Sequence, residues 1–529
     1  MPSTALRSRR WLTYAAIAGA AVLARLPFLL RADRFFDADE AVEALMARHV
    51  LTGEHPLFLW GQRYKGVPEV YLTAAVFRAA SPSVIAMKTV TLACFVVFLW
   101  LNFRLLDRLF SRGVAWIATA FLIAGPPALV LWTLSGTAEI VMTLIAGTVL
   151  LLAVDTWTRE PSPSLRRRST YVAAAALGLG LWIQQYILYY VVSLAIAAAI
   201  VAPGVRIAVR TRIRERVPAW LRLVIAALVI VGGAYVVLGM IAFFTGGVHA
   251  YVFNVNVSAT HPQKMWWIAG VALAAAAAIT TVAVFRARLF VPALAFLAGY
   301  LPAVLGRMGN HGMGAPISRL DAATLHAALP DITHVMVPIL FGWRDPLTRP
   351  TMFPVVGLVI AMLVAVSYYE AWRRRLPPFF HVFPLIAAAM FFISGSYVDA
   401  QSYRYLMPIY AALPVVYAIG IVGISRINRL AGAIVLIVAV GIFVAQQANW
   451  YMRLTPDRES AHALECLDAT GVRAARAPYW QSYTLTFLSG ERIIVSPIDG
   501  LDRYAPYSNI TRDAPVLDAI LARCALGSR

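Results

Sequence analysis

The sequence predicts an all-α polytopic membrane protein of about thirteen transmembrane helices, followed by a small α/β domain. Three observations predict it. Only 14% of the 529 residues are charged while 60% are hydrophobic, with a mean hydropathy of +0.71; a soluble chain carries about a quarter charged residues. Apolar runs of about 20 residues recur, the length needed to cross a hydrocarbon core about 30 Å thick. These runs are continuous, which excludes the alternating pattern of a barrel and leaves helices as the way to satisfy the backbone in lipid.

In chain order the runs fall at 11–30, 87–106, 114–134, 137–157, 170–185, 187–202, 220–243, 266–284, 289–306, 353–370, 379–396, 406–424 and 430–447. The stretch "LGLGLWIQQYILYYVVS" (177–193) reads as two short helices meeting at Gln184 and Gln185. Keeping them apart puts every arginine-rich connection on one side: "RSRR" (7–10), Arg108 and Arg112, "RRR" (166–168), Arg206 to Arg222, Arg286 and Arg288, "RRR" (373–375), and Arg426 with Arg429. By the positive-inside rule that side is the cytoplasm. The first loop (31–86), a loop at 244–265, a long loop at 307–352 and the tail (448–529) then face outward. The expected location is a bacterial cytoplasmic membrane, with the working face extracytoplasmic. The net charge of +20 is read as a topology signal. Nucleic-acid binding would need a basic face on a folded domain, and none is expected.

The first run ends in "RLPFLLRADR" without a small-residue cleavage site and is expected to be a retained span. Hydropathy drops after residue 447, dividing the chain into a membrane domain (1–447) and a tail of about 80 residues, near the lower limit for an independent core. Cys466 and Cys524 both lie in that outward tail, where a disulfide is chemically allowed; Cys94 lies in a span. No metal-ligand spacing of cysteines or histidines occurs.

Polar residues gather in the outward segments. The first loop carries Asp37, Asp39 and Glu40, then "GQRYKGVPE" (61–69) with Gln62, Arg63, Tyr64, Lys65 and Glu69. Glu139 opens the fourth run in "TAEIV"; Gln184 lies at a turn; "NVNVSATHPQK" supplies His261 and Lys264; and "SGSYVDAQSYRYLMPIY" supplies Asp399, Arg404 and Tyr405. Simpler roles compete. Asp37 and Glu40 have the spacing of a capping box, acids suit a first helical turn, and Arg404 could snorkel to headgroups. Three acids within four residues nevertheless exceed what capping needs.

These residues carry a resemblance. The Asp39–Glu40 pair, the "GQ.Y.G..E" pattern at Gly61, Gln62, Tyr64, Gly66 and Glu69, the "RYLMPIY" stretch (404–410) and "TAEIV" (137–141) resemble bacterial family 39 glycosyltransferases. Those are similar to the dolichyl-phosphate-mannose protein mannosyltransferases, the lipid A aminoarabinose transferase and the lipopolysaccharide galacturonosyltransferases, all of the GT-C superfamily. The sequence departs from many relatives at "GVPE", and the tail resembles none of them.

The resemblance implies GT-C architecture and an enzyme that moves a sugar from a polyprenyl-phosphate donor to an extracytoplasmic glycan, lipid or protein acceptor. Inverting transfer needs a carboxylate to take the acceptor's proton and cations for the leaving phosphate. On that chemistry Asp39 is expected as general base and Glu40 as its orienting or sugar-binding partner. Glu139, Glu69 and Gln62 form the second acidic or acceptor-binding group. Arg404, with Lys65, Arg63 and Tyr64, meets the lipid phosphate, and His261, Lys264, Gln184 and Tyr405 are further candidates. Clustered carboxylates attract divalent ions such as Mg or Mn, but no metal or cofactor is assigned. Two other readings stand beside this one. One is a lipid-linked-sugar transporter or flippase. The other is an O-antigen polymerase or ligase working through Arg307, His311, Arg319 and His334 of the long loop.

Overall fold

A computed structural model describes residues 4–201, 211, 213, 215–252, 255–285, 289–309, 318–319, 321–344, 346 and 354–527. His311, Arg286, Arg288 and much of the Arg206 to Arg222 cluster lie outside the described residues. The helices are α1 (Thr4–Leu29), α2 (Ala38–Leu51), α3 (Pro68–Ala79), α4 (Val84–Leu109), α5 (Arg112–Ile123), α6 (Pro127–Trp132), α7 (Glu139–Arg159), α8 (Pro163–Ile183) and α9 (Ile187–Val201). After them come α10 (Ala219–Thr245), an antiparallel hairpin of β1 (Val248–Val252) and β2 (Val255–Ala259), α11 (Pro262–Phe285) and α12 (Phe290–Gly309). Next are α13 (Ala322–Asp331), α14 (Val337–Leu340), α15 (Pro354–Arg374), α16 (Phe379–Ile393), a 3₁₀ segment (Ala400–Ala411), α17 (Leu413–Ile427) and α18 (Arg429–Arg453). The tail adds α19 (Arg458–Ala469), β3 (Ala474–Ala477), α20 (Tyr479–Leu488), β4 (Ile494–Pro497), α21 (Ala505–Ile510) and α22 (Leu517–Gly527).

Among the described residues eight helices are long and apolar enough to cross a membrane, and the 3₁₀ segment with α17 forms a further pair bent by 52°. Three shorter apolar helices, α5, α9 and α16, accompany them. The stretch at 177–193 is broken: α8 stops at Ile183, Gln184 is extended (φ −165°, ψ 146°), and α9 begins at Ile187. The long loop differs from the expectation. Residues 322–340 form an apolar helix of mean hydropathy 1.2, interrupted by one π-helical turn over Ile332–Met336. Its run "AATLHAALPDITHVMVPIL" is diluted by two prolines, two histidines and an aspartate, which hid it as a span-length element.

Helix ends follow local chemistry. Ser83 and Ser111 cap α4 and α5 by accepting from the backbone N–H groups of Ala86 and Val114. The C-terminal carbonyls of α5 are met by Arg25, fully buried in α1, which donates to Leu122 O (3.2 Å), Ile123 O (2.5 Å) and Thr133 Oγ1 (3.0 Å). A cation there satisfies orphan carbonyls and suits the negative end of the helix dipole. Glycines let α8 and α12 touch: a Cβ at Gly178 would lie 2.2 Å from Phe296 O, and one at Gly299 2.4 Å from Ala175 O. Such close approach of small residues is how helices pack in lipid.

Three cores result. The largest fills the bundle around Phe95, Phe98, Tyr190 and Phe383. A second joins α2, α3 and the start of α4 to the tail through Tyr479, Tyr483, Phe487 and Tyr507. A third lies within the tail, around Leu467, Val495 and Leu517 beside the parallel β3–β4 pair. There a disulfide joins Cys466 to Cys524, with Cα atoms 6.1 Å apart.

Candidate functional site

Asp37 is the N-cap of α2: its Oδ1 accepts from Glu40 N at 2.9 Å. This fixes the first turn, and consecutive helical residues then point about 100° apart. Asp39 and Glu40 consequently serve different surroundings. Glu40 is buried, ion-paired with Lys88 of α4, and accepts from Gly136 N at 2.9 Å. Lys88 also donates to Phe35 O at 3.3 Å. Burial is the main influence on the Glu40 carboxyl and raises it, although the Lys88 ammonium opposes that. The expected Asp39–Glu40 pair therefore does not converge on one point. Glu40 staples α2 to α4 and the 133–138 turn.

Asp39 is partly exposed, with its side chain at 25% of full accessibility. Tyr479 Oη of the tail donates to its Oδ1 at 2.5 Å. Arg404 Nη1 stands 3.8 Å from Oδ2, and Arg503 Nη2, also of the tail, 3.9 Å from Oδ1. Arg503 Nε donates to Tyr479 Oη at 3.3 Å. The Gln62 amide, with its oxygen turned to this side, accepts from Arg503 Nη1 (2.7 Å) and Nη2 (2.9 Å) and from Tyr64 Oη (3.0 Å). Arg404 donates to Tyr405 Oη at 3.2 Å and lies over that ring, yet its buried Nε has no hydrogen-bond partner among the described residues. Asp39, Gln62, Tyr64, Arg404 and Tyr405 thus form one connected polar cluster with Tyr479 and Arg503. Arg63 has a buried Nε without a hydrogen-bond partner among the described residues.

A second cluster lies in the same region. Lys65 is buried, with Nζ 2.7 Å from Glu43 Oε1 and 3.2 Å from Glu139 Oε2. Oxygens of Glu43, Glu69 and Glu139 lie within 4.8 Å of one another, a spacing that could hold a cation, and the Lys65 ammonium is the positive charge seated there. Burial drives the Glu43 carboxyl well above its usual range, and burial pushes Glu69 up to about 7 despite Lys65. Burial opposes the Lys65 charge, but Glu139, Glu43 and Glu69 outweigh it and raise the ammonium well above its ordinary value. Lys65, expected beside Arg404 at a phosphate, is instead enclosed by carboxylates. Gly66, next to it, packs against α8: a Cβ there would fall 2.5 Å from Trp182 O.

The remaining candidates sit apart. Gln184 caps α8 and accepts from Gln185 N through its own Oε1 at 3.0 Å. Lys264 is exposed at the start of α11, and His261 precedes that helix, its carbonyl accepting from Lys264 N. Arg319 bonds to Gly246 O and to Asp321 at 2.9 Å, while His334 turns to Pro330 O at 3.1 Å. Tyr479, Arg503, Glu43 and Lys88 were not foreseen. "GLDRYAPY" (500–507) does carry a visible signal, an arginine among tyrosines in an otherwise hydrophilic tail.

Arg503 is held by its neighbours. Trp60 stacks on Tyr504 at 3.9 Å, and the His49 ring bridges Glu54 Oε1 (2.8 Å) and Glu491 Oε1 (2.8 Å). Tyr504 donates to Glu54 (2.6 Å), Tyr507 to Glu491 (2.6 Å), and Arg48 pairs with Glu491 at 3.1 Å. Burial lowers the His49 imidazole, but its bonds to Glu491 and Glu54 win and raise it above its ordinary 6.5.

No protein-family model matches the sequence, and no curated protein matches it. Solved structures do. ArnT from Cupriavidus metallidurans bound to undecaprenyl phosphate matches with a TM-score of 0.53 at 10% identity, over 95% of this chain and 89% of that one. The same protein in its apo state matches with a TM-score of 0.50 at 11% identity, over 97% and 90%. At such identities the likeness is one of fold: the chain shares the overall fold of that protein.

Proposed function

We propose that this chain, with its GT-C fold, is an integral-membrane inverting glycosyltransferase that moves a sugar from a polyprenyl-phosphate donor to an extracytoplasmic glycan, lipid or protein. The observation that carries the reading is the Asp39 cluster. It holds a partly exposed carboxylate 3.8 Å from a guanidinium whose Nε is unpartnered among the described residues. In this reading Asp39 takes the proton from an acceptor hydroxyl as that oxygen bonds to the anomeric carbon. The bond from that carbon to the phosphate oxygen breaks, its electron pair stays on the phosphate, and Arg404 meets the growing charge. Arg is suited to that contact by its planar fork. Tyr479 and Arg503 hold Asp39 in place.

Undecaprenyl phosphate in the ArnT structure supports the lipid class of the donor. The arginine-rich connections support, by the positive-inside rule, thirteen crossings with those ends in the cytoplasm of a bacterium and the 31–86 loop and the tail after α18 outside. The membrane domain (1–447) would then bind donor, while the 307–352 segment and the tail (448–529) border the acceptor side. Transport finds less support: Arg25 and Lys88, buried in spans, are each held by carbonyls or a carboxylate, rather than facing a midplane site.

The test is a deletion strain complemented with wild type or Asp39→Asn. Deletion should accumulate one polyprenyl-phosphate sugar and leave one envelope product without that sugar. Asp39→Asn, expressed and inserted normally, should restore less than about a hundredth of the transfer, since general-base catalysis supplies about 10²–10⁴-fold. An unchanged pool of lipid-linked sugars, or full rescue by Asn at this position, would overturn the reading.

A further inference from the structure

The end of the bundle away from Asp39 carries a second feature. α4 and α7 run side by side from the Asp39 region, where Lys88 meets Glu40 and Glu139 meets Lys65, to a far end where Arg108 pairs with Asp155 at 2.8 Å. A helix of 26 residues is roughly 39 Å long, so the two ends are about a bilayer apart. At the far end α4, α7 and α8 leave a cavity of about 400 Å³. Arg104 and Arg108 from α4 and Arg168 from α8 line it, with Leu101, Val149, Leu165 and Val172 among its aliphatic walls and no carboxylate in the lining.

The arginines are not equivalent. Arg108 is engaged by Asp155, which also holds Arg159 at 2.6 Å. Arg104 and Arg168 form no ion pair with any described residue. A single arginine near a helix end is explained by snorkelling. Two uncompensated ones from different helices, aimed with a third at one cavity, concentrate positive charge at a defined point. The aliphatic wall is open on its outer side, with Leu165 at 44% and Val172 at 42% of full accessibility. A soluble anion has no use for such a wall, whereas a lipid needs both the cations and the wall.

We propose that this groove binds an anionic phospholipid of the leaflet at that end, its phosphodiester between Arg104 and Arg168 and an acyl chain along Leu101, Val149, Leu165 and Val172. The site is separate from the Asp39 cluster, and the proposal does not depend on the reaction assigned there.

Purified full-length protein in detergent is titrated with phosphatidylglycerol, phosphatidylcholine or inorganic phosphate, and binding is read by native mass spectrometry. Wild type should bind phosphatidylglycerol in preference to phosphatidylcholine. Arg104→Gln with Arg168→Gln should weaken phosphatidylglycerol binding by roughly 25-fold, from a factor of about 5 for each arginine near a membrane surface. Arg104→Lys with Arg168→Lys should stay within a few-fold of wild type, because a headgroup reads charge here. Equal binding of the two lipids by wild type, or wild-type affinity in the glutamine pair, would overturn the proposal. So would complete displacement of phosphatidylglycerol by inorganic phosphate, which would mark a soluble-anion site. Should the glutamine pair fail to fold, the lipid preference of wild type and of the lysine pair still decides.

Discussion

The region around the first loop builds two carboxylate sites from neighbouring residues, and they are opposites. In one, Glu43, Glu69 and Glu139 surround the buried Lys65, and the ammonium is tied to Glu43 at 2.7 Å and Glu139 at 3.2 Å. In the other, Asp39 is partly exposed, and its two arginines stand off at 3.8 and 3.9 Å. Buried charge must be compensated by direct pairing, and breaking such a pair is costly. An exposed carboxylate with loosely placed cations can admit a polar ligand between them. A cluster rich in acids is therefore the worse candidate for acceptor chemistry, and the single acid among spaced cations is the better one.

The contrast is most exposed at Lys65. Lys65→Met should leave Glu43, Glu69 and Glu139 without their cation and destabilise the protein by about 3–5 kcal/mol, read as a drop in detergent melting temperature and in folded yield. Asp39→Asn should leave that melting temperature close to wild type. If Lys65→Met melts like wild type but loses transfer, the two sites have been assigned the wrong way round.

At Arg404 a binding effect is expected. Arg404→Ala should weaken binding of undecaprenyl phosphate, used as donor mimic, by roughly 10–100-fold, the span of a charged hydrogen bond of about 1.5–3 kcal/mol. Arg404→Lys should fall between, because it keeps the charge and loses the fork. Snorkelling alone would make Lys and Arg equal, so titration of the three proteins in nanodiscs separates the roles.

Tyr479→Phe should act on the chemical step instead. It removes the hydroxyl that donates to Asp39 at 2.5 Å and leaves the ring packed in the second core. Turnover should fall roughly tenfold, the rate equivalent of about 1.4 kcal/mol, with affinity for undecaprenyl phosphate unchanged. Equal loss of affinity would place the tail at the donor phosphate.

How much of this was legible follows from where the information lies. Apolar runs and their arginine-rich connections mark the bundle because each run is long against its local background. The helix at 322–340 was lost because prolines and polar residues dilute it to a mean hydropathy of 1.2. In the first loop, residue types marked the region, and the cap at Asp37 decided which acid faces which partner. Asp39 and Glu40 are adjacent in sequence, but the helical turn parts them, and Lys88 lies 48 residues on from Glu40. Tyr479 is 440 residues from Asp39. No local pattern reports such a contact, so the tail's share of the site became visible only with the fold.

The smallest expected effect tests that share of the site through pH. His49 of α2 joins Glu54 to Glu491 of the tail and so helps to seat the segment that carries Arg503. Its folded value is raised, so its contribution to stability is complete below about 6.5 and fades as pH climbs through the higher folded value. Glu491 is shifted the other way: burial raises it, but the bonds from His49 and Tyr507 prevail and lower it below 4.5. Its contribution is present above about 4.5 and is lost as pH falls through the lower folded value. The clasp is therefore strongest between about pH 4.5 and 6.5. Glu54 is more than a third exposed, so screening limits the whole effect to a few tenths up to about 1 kcal/mol. Melting temperature followed from pH 5 to 9 should decline through the raised histidine value in wild type. The part of the decline owed to this clasp should vanish in His49→Gln. A wild-type curve that the substitution leaves unchanged would show that the stacking of Trp60 on Tyr504 holds the tail in place without the charge.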